Sequence, residues 1–182
     1  CANAADYETA DALLERARAL GQTFAPRAGY TAAIRAADAA GRFEMAVRYY
    51  ALAVQQKHFR HWRDDEPLTL DLHGFRAPVA VAAVRYVLQH ELGNFLCGDL
   101  RIITGRGRHS ERGEPSILPR IERLLSQELP RPLRHDFLND WRCDDVGCEQ
   151  SENRGVIDVS VDDLLRWLIE TREFSSFVVR LP

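Results

Sequence analysis

Along the first third of the chain, apolar residues recur at helical spacing. From Ala5 to Leu20 the positions Ala10, Leu13, Leu14, Ala17 and Leu20 fall on one stripe, and Gly21 stands where such a helix would stop. Pro26 and Gly29 punctuate a linker, after which Tyr30 to Ala40 and Phe43 to Gln56 carry two more helical patterns separated by Gly41. Their Ala-rich faces suit close packing, and neither face is wide enough to stabilise an isolated helix, so a paired helical unit is expected. The period changes to two at Leu68. Leu68, Leu70 and Leu72 share one side of a predicted strand, and Thr69, Asp71 and His73 the other. Gly74 then turns the chain into a helix opened by Pro78. A second strand is expected over Leu100 to Thr104, with Ser116 as the cap of the helix that follows.

These patterns place two polar constellations at strand ends. Asp71 and His73 point the same way just before Gly74, and an acid beside an imidazole can orient a water, hold a divalent cation or move a proton. The second strand runs into Gly105, Arg106, Gly107, Arg108, His109 and Ser110. Two glycines let a ligand approach the backbone and the donors beside them suit an anion. The spacing matches neither a Walker A loop nor a full dinucleotide fingerprint, so a phosphodiester backbone is the better ligand.

Composition narrows the class. Of 182 residues, 46% are hydrophobic and 28% charged, which excludes a disordered or collagen-like chain. The most apolar stretch, Ala77 to Leu88, is interrupted by Pro78 and Arg85, so a soluble protein with no membrane partner is expected. Cys1, Cys97, Cys143 and Cys148 are too scattered for a disulfide framework. Cys143 and Cys148 lie near His135 but lack a second pair, and surface thiols are favoured over a zinc site. The net charge of -3 disfavours a global attraction to polyanions. The segment Arg101 to Arg134, however, holds eight Arg against four Glu, a local basic footprint.

The motifs L-D-L-H-G at residues 70–74 and T-G-R-G-R-H-S at residues 104–110, joined by one helix, resemble the small MutS-related (Smr) domain. Asn153, Arg154 and Gly155, Val161 to Ile169 with Trp167, and Phe177 to Leu181 extend the likeness. The chain departs from many plant-type members at Arg106 and Arg108, where those carry Trp and Lys. The stretch Pro130 to Glu152 is longer than the family needs and has no role assigned to it. Tyr30 and Thr31, then Ala40-Gly41-Arg42-Phe43-Glu44, resemble a pentatricopeptide (PPR) repeat.

The two resemblances together imply a C-terminal fragment of a plant- or plastid-type PPR protein. Residues 1–57 would hold about one and a half repeats, 58–67 a linker, and 68–182 an Smr domain. The implied fold class is α/β, a two-layer sandwich of order β-α-β-α-β-α-β, similar to the C-terminal domain of translation initiation factor three. The implied function is RNA binding with metal-dependent endonucleolytic processing of organellar RNA, the alternatives being a non-catalytic RNA- or DNA-binding module or a scaffold in organelle gene expression; the implied partner is single-stranded RNA or DNA. Asp71, His73 and His109 are the implied catalytic residues, and Asp71 and His73 the ligands of Mg or Mn. Gly105 to Ser110 would bind the backbone. Thr31 is the candidate base reader, and a second reader would fall near His61, where the repeat pattern has decayed. Plastid or mitochondrion is the implied compartment, with any targeting segment outside this sequence.

Overall fold

The computed structural model describes residues 9, 12, 27–92, 98–105, 116–144 and 147–171, with backbone alone at 138–144 and 147–154. The expected helix from Ala5 to Leu20 lies outside them except at Thr9 and Ala12, both helical, and the expected strand from Phe177 to Leu181 lies wholly outside. The described residues form two compact units: 27–61 with 75–92, and 62–74 with 98–171.

In the first unit, α1 (Arg27–Ala39) and α2 (Phe43–Gln55) pack on each other and on α3 (Ala77–Tyr86), which continues as a wider π turn over Val87–Glu91. The buried face of α1, Tyr30, Ala33, Ile34 and Ala37, has the i, i+3, i+4, i+7 spacing of an amphipathic helix. The same holds for Ala46, Tyr49, Tyr50 and Ala53 of α2. By contrast α3 is buried at every position from Val79 to Arg85. Gly41 ends α1 at φ +69°, with Arg42 N–H donating to Ala37 O (2.8 Å) and Gly41 N–H to Asp38 O (3.0 Å), which satisfies two of the last carbonyls. α2 ends in the same way, His58 N–H donating to Ala53 O (2.8 Å) and Lys57 N–H to Val54 O (2.9 Å), but here Lys57 holds the left-handed position at φ +61°.

The second unit is built on a four-stranded sheet of order β1-β2-β4-β3, from β1 (Thr69–Asp71), β2 (Leu100–Ile103), β3 (Asp136–Asp144) and β4 (Gly147–Val159). β1 and β2 are parallel, and the other pairs antiparallel. Leu70, Leu100, Ile102, Ile157 and Val159 are buried in it. Among the described residues two helices belong to this unit: α4 (Leu118–Arg123, running on to Glu128) and α5 (Val161–Thr171). Ser160 caps α5, its hydroxyl accepting from Asp163 N–H (3.1 Å) and donating to the Asp163 carboxylate (2.8 Å). Trp167, buried, donates its indole N–H to Arg131 O (2.9 Å).

Two expectations are corrected. Between α4 and α5 the expected order has one strand and the structure has two, because the unassigned stretch from Pro130 to Glu152 supplies β3 and the first part of β4. Ser116 does not cap α4: the cap position is Ile117 and makes no side-chain hydrogen bond, while Pro119 in the first turn has no N–H to satisfy.

Candidate functional site

Parallel pairing sets the carboxyl ends of β1 and β2 side by side, with Leu70 opposite Ile102 and Asp71 opposite Ile103. Leu72 N–H donates to Ile103 O (2.8 Å), so the pairing runs one residue past β1. Next to it β4 passes in the opposite direction, and the carbonyl of Gly155 holds the start of the loop after β2. It accepts from Thr104 N–H (2.8 Å), the Thr104 hydroxyl (3.1 Å) and Gly105 N–H (3.3 Å).

Gly105 has φ +81°, and a Cβ built there would lie 3.4 Å from His73 Cβ. The two motifs, 30 residues apart, thus lie close enough that an added methyl would touch His73, and the backbone angle favours glycine at 105. Gly74 also lies in the left-handed region, at φ +78°, and redirects the chain after the imidazole.

Asp71 and His73 form a local hydrogen-bonded pair. Asp71 Oδ1 accepts from His73 N–H (3.1 Å) and from Nδ1 of the His73 ring. An ionised carboxylate can only accept, so Nδ1 carries the proton and Nε2 presents a lone pair. The His73 side chain is 70% exposed and that of Asp71 24%, so the imidazole faces solvent while the carboxylate anchors it. On the strand's near side, Arg63 grips Asp65 through Nε (3.1 Å) and Nη2 (2.9 Å), which holds the Asp65 carboxyl below its ordinary range.

Of the sequence-derived site residues, the structure brings Asp71, His73 and Gly105 together. Arg106, Gly107, Arg108, His109 and Ser110 lie outside the described residues. Thr31 belongs to the helical unit, where its hydroxyl donates to Arg27 O (2.8 Å). His61 is only 3% exposed. Its Nε2 donates to Glu91 Oε2 (3.0 Å), which leaves Nδ1 to accept from the Tyr50 hydroxyl (3.0 Å), so no edge remains to read a base. His135 Nδ1 donates to Leu133 O (2.9 Å). Among the described residues no three His, Cys, Asp or Glu side chains converge as a metal cluster, and no helix is long and apolar enough to cross a membrane. Sequence reasoning quoted Gly155 only as part of a tail motif and missed it as the anchor of the loop.

The family model of the Smr domain matches residues 70–140, a span that begins in β1, takes in both motifs and ends in β3. An Smr domain therefore occupies this part of the chain, and Smr domains bind nucleic acids. No curated protein and no solved structure matches the chain.

Proposed function

We propose that the chain binds single-stranded RNA and hydrolyses its phosphodiester backbone with the help of a divalent cation, Mg or Mn. The observation that carries this reading is the Asp71–His73 pair, with an outward Nε2, against Gly105 at the mouth of an anion-suited loop. Asp71 fixes the tautomer and orientation of the ring and stabilises the imidazolium that forms. Nε2 takes a proton from the attacking water as its oxygen bonds to phosphorus. The bond to the leaving sugar oxygen breaks, and that oxygen is protonated from solvent.

The second carboxylate oxygen of Asp71, unbonded among the described residues, suits a hard cation completed by water and phosphate oxygens. Such a cation would neutralise charge on the phosphoryl group. Asp71 is then the ligand and His73 the base, a narrower assignment than two ligands. Arg106, Arg108 and His109 supply the backbone contacts, by residue type and by their place in the motif. The helical pair α1–α2 supports a PPR-type repeat and, with it, a plastid or mitochondrial RNA as substrate.

The test is cleavage of a labelled single-stranded RNA with Mn, with Mg and with EDTA. Asp71→Asn and His73→Ala should each lower the metal-dependent rate by about 100-fold or more while binding stays within a few-fold of the parent. Undiminished cleavage in both variants overturns the site. Binding without cleavage under any metal overturns the hydrolysis and leaves a binding module.

A further inference from the structure

The two units carry opposite charge. Residues 27–61 and 75–92 hold eight Lys and Arg against three acids, Asp38, Glu44 and Glu91, a net +5. The described residues of the sheet unit hold nine Arg against 16 Asp and Glu, a net -7. Pairing sharpens the contrast. In the sheet unit Arg63, Arg101, Arg120, Arg123, Arg131 and Arg166 each lie within 4.0 Å of a carboxylate. In the helical unit Arg27, Arg35, Arg42, Lys57 and Arg76, all exposed, make no ion pair among the described residues.

One of these cations, Arg27, is held over an aromatic pair. The rings of Phe59 and Phe75 stand 5.5 Å apart, and the Arg27 guanidinium lies 5.5 Å from the first and 5.8 Å from the second. Stacking on ring faces orients a guanidinium without consuming its N–H donors, which stay available for bidentate contact with a phosphate. Arg76 follows Phe75 directly and occupies the cap position of α3, and Arg27 opens α1. Neither helix has an acidic residue in its first turn, so the positive ends of both helix dipoles add to the field there.

From this arrangement we infer that Arg27, framed by Phe59 and Phe75, and Arg76, the next residue in the chain after Phe75, bind the phosphodiester backbone of the nucleic acid, so that the helical unit is the electrostatic landing surface of the protein. The inference rests on the nucleic-acid reading above and extends it to residues outside the matched Smr motifs. A lipid surface fits less well, since Phe43, at 37%, is the exposed large apolar residue among the described positions of this unit.

The experiment is fluorescence anisotropy of labelled 20-nucleotide oligo(U) and oligo(dT) against the full chain across a NaCl series. The Arg27→Gln/Arg76→Gln double variant should bind both oligonucleotides about tenfold or more weakly at 0.1 M salt. Its log–log salt slope should be shallower by about 1.4, the loss of two phosphate contacts on a single strand. Arg27→Lys/Arg76→Lys should keep the slope and recover part of the affinity, which guards against a folding defect in the Gln variant. Arg131→Gln, which removes an arginine paired with Glu170, should bind like the parent. If the parent binds and the Gln double variant matches it in affinity and slope, this inference fails and the nucleic-acid reading survives. If the parent binds neither oligonucleotide, both fail. A loss confined to one of the two oligonucleotides, or binding to phosphatidylserine vesicles in place of oligonucleotides, also overturns it.

Discussion

The helical unit and the sheet unit use charge in opposite ways. In the sheet unit arginines are partners: Arg101 and Asp158 sit opposite each other on β2 and β4 (2.9 Å), Arg131 reaches Glu170 (3.3 Å), and Arg120 and Arg123 share Glu128. In the helical unit, polar order is buried instead, in the Tyr50–His61–Glu91 chain, while cations such as Arg27 and Arg76 are exposed and make no ion pair among the described residues. A segment's net charge is therefore a poor guide to the surface it forms. The span Arg101 to Arg134 is basic as a sequence, yet four of its eight arginines meet carboxylates, some brought from 39 and 57 residues away.

The comparison can be broken most sharply at His61. His61→Ala leaves the buried Tyr50 hydroxyl without its acceptor, removes one partner of the part-buried Glu91 carboxylate, and should cost about 2–3 kcal/mol by denaturant titration, with hydrogen exchange rising first in α2 and α3. A cost below about 1 kcal/mol would show that water substitutes for the ring.

Next comes Gly105→Ala, which forces a side chain into φ +81° beside His73. We expect about 1–2 kcal/mol of destabilisation, and a larger proportional loss of cleavage than of stability. Equal losses would separate the glycine from the chemistry. The third effect is alkaline. Burial, and after it the charges of Glu91 and Tyr86, push the Tyr50 phenol well above its ordinary range, so the folded state keeps a proton that the unfolded chain releases near pH 10. The contribution is fully present below that pH and is lost as pH rises above it, by about 1.4 kcal/mol per unit. Tyr50→Phe should flatten the alkaline limb.

Smaller changes sharpen the contrast. Lys57→Gly relieves the left-handed strain at the end of α2 and should raise stability by about 0.5–1 kcal/mol. Arg101→Ala, removing a half-exposed partner from Asp158, should cost about 0.5 kcal/mol, whereas Arg35→Ala, with no carboxylate to abandon, should cost nothing measurable. Equal costs for the two arginines would erase the distinction drawn between the units.

The carboxyl end of β1 was legible in sequence because alternation separates Leu70 and Leu72 from Asp71 and His73, and because Gly74 and Gly105 mark positions at positive φ. Helices α1 and α2 were legible for a related reason: their stripes are clean and Gly41 divides them. β3 was not. Its nine residues, D-F-L-N-D-W-R-C-D, alternate only from Asp140 to Asp144, the pattern breaking between Phe137 and Asn139 where the register shifts, and the strand is defined by its pairing with β4. Lys57 carried no signal either, since a glycine is what usually announces that turn. The Arg27, Phe59 and Phe75 cluster joins three separate stretches of chain and becomes visible only once these are folded together.

Between β1 and β2 the chain leaves the sheet unit, builds α3 in the helical unit and returns. Neither unit is a continuous stretch of sequence, so this protein is not a string of beads from which one can be cut. Truncation at residue 62 would keep both strands that carry the motifs, yet leave the apolar run from Val79 to Val84 without the helices that bury it. A lineage that lost α1 and α2 would have to rewrite α3 in the same step, which ties the inheritance of the two strand-end motifs to that of the helices upstream.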